Sequence, residues 1–347
     1  MAGLSLQELL DRATLAADSR WPGAAITDLE PLPGGISSLT FAARLMTGPE
    51  RARRVVLKVA PPGLEPVRNR DVLRQARIMR MLADIPGVPV PEVLLEEPGR
   101  PPFFVMDFVE GQAYEPHKDV STAPPDPATV VERARAAARM LARLHEPIPA
   151  LLGLDDEPML APVDELDRWA RLFATAGDDL RGDESELHRR LVERAPVPLA
   201  PRILHGDYRL GNIQFLASRP TAIIDWEIWS VGDPRADLAW LMTFTDPVQR
   251  FVTERDAANQ AAAAAVPEAG ELLAEYLTVR SIDTAQIGWF MAACYYKIAS
   301  TTAAIAKRNR RLPAPDEELE IAASFLPAVI DRGLEIVRSA DLHVVVK

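Results

Sequence analysis

The apolar and polar positions change rhythm part-way along the chain. Between Ile26 and Phe108 apolar residues alternate or run in short β-branched blocks, which predicts strands at Ile26–Leu32, Ser38–Leu45, Arg54–Ala60, Val88–Leu95 and Phe103–Phe108. Two stretches there follow a helical period instead. Leu4–Asp18 is amphipathic, and Arg68–Ala83 places Val72, Leu73, Ala76, Met79 and Leu82 on one face. After Glu110-Gly111 and the proline-rich loop Pro124–Pro127, helices dominate: Ala128–His145, Asp164–Ala176, Glu184–Arg194, and the chain from Asp237 onward, down to Leu319–Arg338. Two short strand-like pieces, Ile203–Ala217 and Thr221–Trp226, interrupt them, and Ala261–Ala265 reads as a run on a surface helix. The pattern predicts an α+β chain with a small lobe at residues 1–107 (an antiparallel sheet plus a helix), a hinge at 108–111, and a larger, mainly α lobe at 112–347.

The chemistry concentrates where the helices are interrupted. His205-Gly206-Asp207-Tyr208-Arg209-Leu210-Gly211-Asn212 follows apolar Ile203-Leu204, and the next apolar strand delivers Asp225 within Ile224-Asp225-Trp226-Glu227. An aspartate on such a loop can accept a hydroxyl proton. An asparagine five residues on can offer a neutral oxygen to Mg²⁺, and a second aspartate at the end of the next strand supplies a charged ligand. Phosphoryl transfer needs little beyond this positioning and charge neutralisation.

These residues, with Gly232-Asp233-Pro234-Arg235-Ala236-Asp237-Leu238-Ala239, resemble the aminoglycoside phosphotransferase and choline kinase superfamily. The forms HGDYRLGN and GDPRADLAWL are similar to the subgroup of kinase-like domains fused to acyl-CoA dehydrogenases. The resemblance implies a protein-kinase-like two-lobed fold and a Mg²⁺-dependent kinase using ATP or GTP, with a small-molecule hydroxyl as acceptor. It implies Asp207 as the catalytic base, His205 as a brace for the loop, and Asn212 and Asp225 as the metal ligands. Asp237 would support the loop and cap its helix. Lys58 would meet the α- and β-phosphates, Gly34, Gly35, Ser37 and Ser38 would form the nucleotide loop, and backbone groups around Met106 and Phe108 would face the adenine.

One departure stands out. The family pairs its lysine with a glutamate on the small-lobe helix, and this chain has Gln75 there, with Asp71 one turn earlier as a shorter substitute. A nucleotide-binding scaffold without catalysis is therefore a second reading, and a protein kinase a third. Against the third, Gly206 stands where arginine is expected and Trp226-Glu227 follows Asp225. Within the favoured reading the acceptor is a hydroxyacyl compound or an aminoglycoside.

Composition narrows the field further. The 347 residues carry 39 basic and 50 acidic side chains, a net charge of −11, which argues against a nucleic-acid partner. The single cysteine, Cys294, lies in the apolar stretch Gly288–Tyr296 and reads as a buried, inert thiol. His117, His145, His188 and His343 show no metal-ligand spacing, and His145 reads as a capping or packing residue. There is no signal-peptide pattern and no apolar run near membrane-spanning length, so the expectation is a cytoplasmic monomer or homodimer with no membrane partner. The run Lys307-Arg308-Asn309-Arg310-Arg311 is basic in an acidic chain, either a solvated helix end or a contact for an anionic substrate. Many of the 31 prolines fall at boundaries between the predicted elements.

Overall fold

A computed structural model of the chain describes residues 5–32, 38–48, 51–249 and 255–339. The chain forms two compact units. The first comprises Met1–Gly111 with Thr221–Trp229, and the second Gln112–Pro220 with the chain from Ser230 onward.

In the first unit, helix α1 (Leu6–Arg20) opens with a capping box: Ser5 accepts the Glu8 amide while the Glu8 carboxylate takes the Ser5 amide. Strands β1 (Ala25–Pro31), β2 (Leu39–Met46) and β3 (Ala52–Val59) follow, then helix α2 (Val72–Leu82), β4 (Val93–Glu97) and β5 (Phe103–Asp107). The sheet is antiparallel throughout, in the order β1-β2-β3-β5-β4. Alternation sends Val55, Leu57, Val59, Phe103 and Val105 to the face covered by Leu9, Ala13 and Ala17 of α1. Lys58 therefore points to the other face, in register with Thr40 on β2 and Phe104 on β5.

Two predicted boundaries move for local reasons. The helix expected over Arg68–Ala83 begins only at Val72, because Asp71 is extended and caps it, with a short 3-10 turn at Arg68–Arg70 before it. The strand expected from Val88 starts at Val93, after Pro89 and Pro91, which have no N–H for a ladder.

The second unit is mainly helical, so the α+β, protein-kinase-like division into a sheet-rich and a helix-rich part holds. Its longest helix, Ile287–Asn309, packs against Leu326–Arg338, Arg235–Thr243 and Pro162–Phe173. At Gly333 a Cβ would lie 2.7 Å from Leu187 Cδ2 and 3.3 Å from Tyr295 Cβ, so any larger residue at this close helix approach would have to displace the Leu187 side chain. Leu319–Arg338 is two helices, Glu317–Ser324 and Leu326–Arg338: Pro327 lacks the N–H a continuing helix needs and starts the second one instead. The alanine run is not a surface feature throughout, since Ala262 and Ala263 are buried and Ala262 packs with Tyr114 and Val130. A small sheet sets Ser230–Gly232 parallel to Met159–Leu160 and antiparallel to Arg202–Leu204. Cys294 is buried, and burial pushes its thiol up to about 12. Among the described residues no helix is long and apolar enough to cross a membrane.

Candidate active site

In the second unit, Arg202–Leu204 leads directly into the His205–Asn212 loop. Gly206 turns the chain in the left-handed region, φ +83°, where glycine carries no steric penalty. Asp237, in the first turn of Arg235–Thr243, anchors this turn from below. Its carboxylate accepts the backbone N–H of His205 at 2.6 Å and of Gly206 at 2.9 Å. The His205 ring accepts the Asp207 N–H at Nδ1 (3.2 Å), and the Tyr208 hydroxyl, deeply buried, donates to the Ala137 carbonyl at 2.9 Å. His205 and Asp237 thus act as braces.

Both carboxylate oxygens of Asp207 have neutral donors. The Trp240 indole N–H reaches Oδ1 at 2.8 Å, and the Asn212 amide nitrogen reaches Oδ2 at 2.7 Å and the Asp207 carbonyl at 2.8 Å. Cations stand one step further out. Arg209 Nε lies 3.5 Å from Oδ2, and the Lys297 ammonium donates to the Gly206 carbonyl at 2.6 Å. Burial alone would raise the Asp207 pKa, but Arg209, Lys297 and His205 together hold it below the ordinary carboxylate value.

Beside this loop, Glu115 is almost fully buried, accepts the Gly211 N–H at 3.2 Å and lies 3.7 Å from Arg209. Burial pushes its carboxyl up to about 7. Lys118 and Arg209 share the face of Phe244, at 4.6 and 5.7 Å from the ring centroid. Burial, reinforced by the Arg209 charge, brings Lys118 down to about 8. His145 is a buried helix-terminal residue, with Nδ1 2.9 Å from the Tyr276 hydroxyl and Nε2 3.7 Å from Asp237. Burial lowers its pKa.

Trp240, Lys297, Lys118 and Glu115 were not among the residues singled out from the sequence for this site. Two of them left a trace there: Trp240 follows Asp237 at i+3 on the same helix face, and Lys297 is a cation set in the apolar stretch Ile287–Ala306. The basic run at Lys307–Arg311 closes that same helix. Arg310 pairs with Asp179 at 2.7 Å and Glu320 at 2.9 Å, and Asn309 bonds the Asp316 backbone, so this end behaves as a charge-paired helix terminus.

In the first unit, the buried Lys58 ammonium meets Asp225 Oδ1 at 2.6 Å. Asp225 adopts the left-handed conformation (φ 65°, ψ 58°), uncommon outside glycine and recurrent at functional sites. Its segment is held by α2: the Arg74 guanidinium stacks 3.9 Å over Trp229 and donates to the Trp229 carbonyl, while the Trp229 indole donates to the Arg74 carbonyl. Neither candidate on α2 takes the lysine. Asp71 caps the helix by accepting the Arg74 N–H at 3.1 Å, and the Gln75 amide turns to the Asn69 carbonyl at 3.4 Å.

Gly34, Gly35 and Ser37 lie outside the described residues. Ser38 is described, and its hydroxyl is buried without a partner among them, an orphan donor of the kind a phosphate oxygen would satisfy. Met106 sits inside the sheet between Val56 and Val93, and the Phe108 N–H donates to the Arg54 carbonyl at 3.2 Å. The N–H of Phe108 therefore already has a partner.

Each expected metal ligand, taken within its own unit, keeps an oxygen of the kind magnesium prefers. Asn212 uses its amide nitrogen on Asp207 and has its oxygen left over, and Asp225 keeps Oδ2 after giving Oδ1 to Lys58. Both are hard oxygen donors. Among the described residues no group of three or more His, Cys, Asp or Glu is placed to hold a metal ion.

Residues 28–276 match the phosphotransferase enzyme family. The human acyl-CoA dehydrogenase family member 11 is 25% identical over 81% of this chain and 37% of its own length. The chain thus spans little more than a third of that relative. Among solved structures, a Ralstonia eutropha protein assigned to the aminoglycoside phosphotransferases superposes with a TM-score of 0.74 at 21% identity, covering 94% of this chain and 98% of the other. An ADP-bound aminoglycoside phosphotransferase superposes with a TM-score of 0.52 at 16% identity, covering 87% and 92%.

Proposed function

Because the chain belongs to the phosphotransferase enzyme family, we propose that it transfers the γ-phosphoryl group of ATP or GTP to the hydroxyl of an anionic hydroxyacyl compound. The observation that carries this reading is the Asp207 carboxylate, oriented by Trp240 and Asn212 and flanked by Arg209 and Lys297.

Asp207 aligns the acceptor hydroxyl through a hydrogen bond and receives its proton as the hydroxyl oxygen bonds to the γ-phosphorus. The bond from that phosphorus to the β–γ bridging oxygen breaks, and its electron pair leaves with the nucleoside diphosphate. The acceptor departs as a phosphate ester. Lys58 neutralises charge on the α- and β-phosphates, and Asn212 and Asp225 would hold a magnesium ion through their side-chain oxygens. When bound, Mg²⁺ offsets the negative charge of the phosphates. Ser38 donates its free hydroxyl to phosphate.

Two features support an anionic acceptor over an aminoglycoside. Lys118, Arg209 and Lys297 offset the carboxylates of Asp207, Glu115 and Asp119, which removes the net negative charge that would draw in a polycation. The relative named for acyl-CoA chemistry supports the acyl part. The departure at Gln75 favours the second reading, a nucleotide-binding scaffold, since no α2 carboxylate reaches Lys58.

A screen with labelled ATP and Mg²⁺, over hydroxy acids, hydroxyacyl-CoAs, amino alcohols and aminoglycosides, tests all of this. The kinase reading expects label on hydroxy acids or hydroxyacyl-CoAs. Label on aminoglycosides alone refutes the anionic acceptor. Nucleotide binding with no transfer and no hydrolysis across the panel leaves the scaffold.

A further inference from the structure

We propose that Lys297 is a specificity-determining residue whose ammonium fills, from within the chain, an aromatic cation position beside Asp207 and so bars organic ammonium groups from it. The proposal rests on the phosphotransferase reading and sharpens its acceptor class.

A lysine in an apolar helix ordinarily extends its stem to put the charge in water. Lys297 is flanked by the buried residues Cys294, Tyr295, Tyr296, Ile298 and Ala299, yet its ammonium turns inward. It lies 3.9 Å from the Trp240 ring centroid and 5.3 Å from that of Trp169, and donates to the Gly206 carbonyl at 2.6 Å. Trp240 is 7% and Trp169 8% exposed, so both rings are shielded and the attraction between cation and ring is correspondingly strong.

The indoles are themselves fixed. Trp240 gives its N–H to Asp207 Oδ1 at 2.8 Å, and Trp169 gives its N–H to Glu165 at 3.0 Å. Two ring faces, a carbonyl and two nearby carboxylates make a setting suited to a small organic cation. Lys297 is the cation that occupies it, tethered in place, and a free amine must displace a group whose effective concentration is set by the fold. Arg168 also lies over Trp169, at 4.9 Å, so the Trp240 face is the one that reports on Lys297.

The probe is tetramethylammonium chloride, followed by tryptophan fluorescence of the full chain against sodium chloride at equal ionic strength. In Lys297→Ala the expected result is a saturable change with a Kd on the order of 1–10 mM. The unsubstituted protein should show none, and Lys297→Ala with Trp240→Leu, which removes the ring, should lose it. Saturable binding by the unsubstituted protein that disappears in Trp240→Leu overturns the proposal, whatever becomes of the lysine variants. A Lys297→Ala protein that keeps its far-UV dichroism but binds nothing overturns it too. If that variant does not fold, Lys297→Val, which keeps more of the helix packing, takes its place with the same two outcomes. No phosphoryl transfer enters the measurement, so its failure and a failure of the acceptor screen are separate results.

Discussion

Lys58 and Asp207 are both charged groups of the proposed reaction, and their surroundings differ in kind. The nearest partner of Lys58 is an opposite charge, Asp225 at 2.6 Å. The nearest partners of Asp207 are the neutral N–H groups of Trp240 and Asn212 at 2.8 and 2.7 Å, with Arg209 further out at 3.5 Å. The contrast suits the two tasks. An ammonium that waits for phosphate is held straight by a carboxylate that phosphate can replace. A carboxylate that must take a hydroxyl proton is oriented here by neutral dipoles, which fix its direction without cancelling its charge as a contact ion pair would. Arg209 and Lys297 keep it ionised from a distance.

Substitutions can break this contrast from either side. Asp207→Asn removes the charge and keeps the shape, so transfer to whichever acceptor the screen identifies should fall by about 10²–10⁴-fold. Nucleotide affinity by equilibrium titration should stay within about threefold, and retention of full turnover would end the assignment of Asp207. Lys58→Met should act on the other term. Loss of a charge-assisted contact to phosphate raises the nucleotide KM by about 10–100-fold, while kcat changes less. Asp225 is left unpaired in that variant, so the thermal midpoint should also drop.

Trp240→Phe keeps the ring and deletes the donor to Asp207 Oδ1. A fall of about tenfold in kcat with the nucleotide KM unchanged is expected from one hydrogen bond to a charged group. An unchanged kcat would mean that Asn212 alone orients the carboxylate. The smallest effect concerns His145, behind the loop. Burial lowers its folded pKa, so the unfolded chain takes up the proton first as pH falls. The stability this histidine contributes is complete above its ordinary value, about 6.5, and is lost as pH falls toward the depressed folded value. Urea unfolding at pH 7.5 and 5.5 should show a smaller loss of stability on acidification in His145→Gln than in the unsubstituted protein.

Much of the candidate site was legible because its residues are close neighbours in the chain. His205, Asp207 and Asn212 fall within one loop whose spacing carries the chemistry, and Asp225 ends the next apolar strand. Lys58 was visible as a charge amid Val55, Val56, Leu57 and Val59. Helix ends were less legible. Asp71 looked like a stand-in partner for Lys58 and is an N-cap, and one helical period over Leu319–Arg338 concealed the break before Pro327. In each case a local backbone requirement outweighed the apolar rhythm.

The sequence by itself determined the strand alternation that points Lys58 away from Leu57 and Val59, the helical character of the larger unit, and the His205–Asn212 loop. All three depend on period or on short spacing, which the chain carries locally. Only the tertiary structure decided that Lys58 pairs with Asp225, 167 positions away, that Trp240 holds the far oxygen of Asp207, and that Lys297 lies against that indole. Hydrogen bonds and ion pairs act over about 3–4 Å, so such partners are chosen by how distant segments pack, and no local pattern in the chain records that choice.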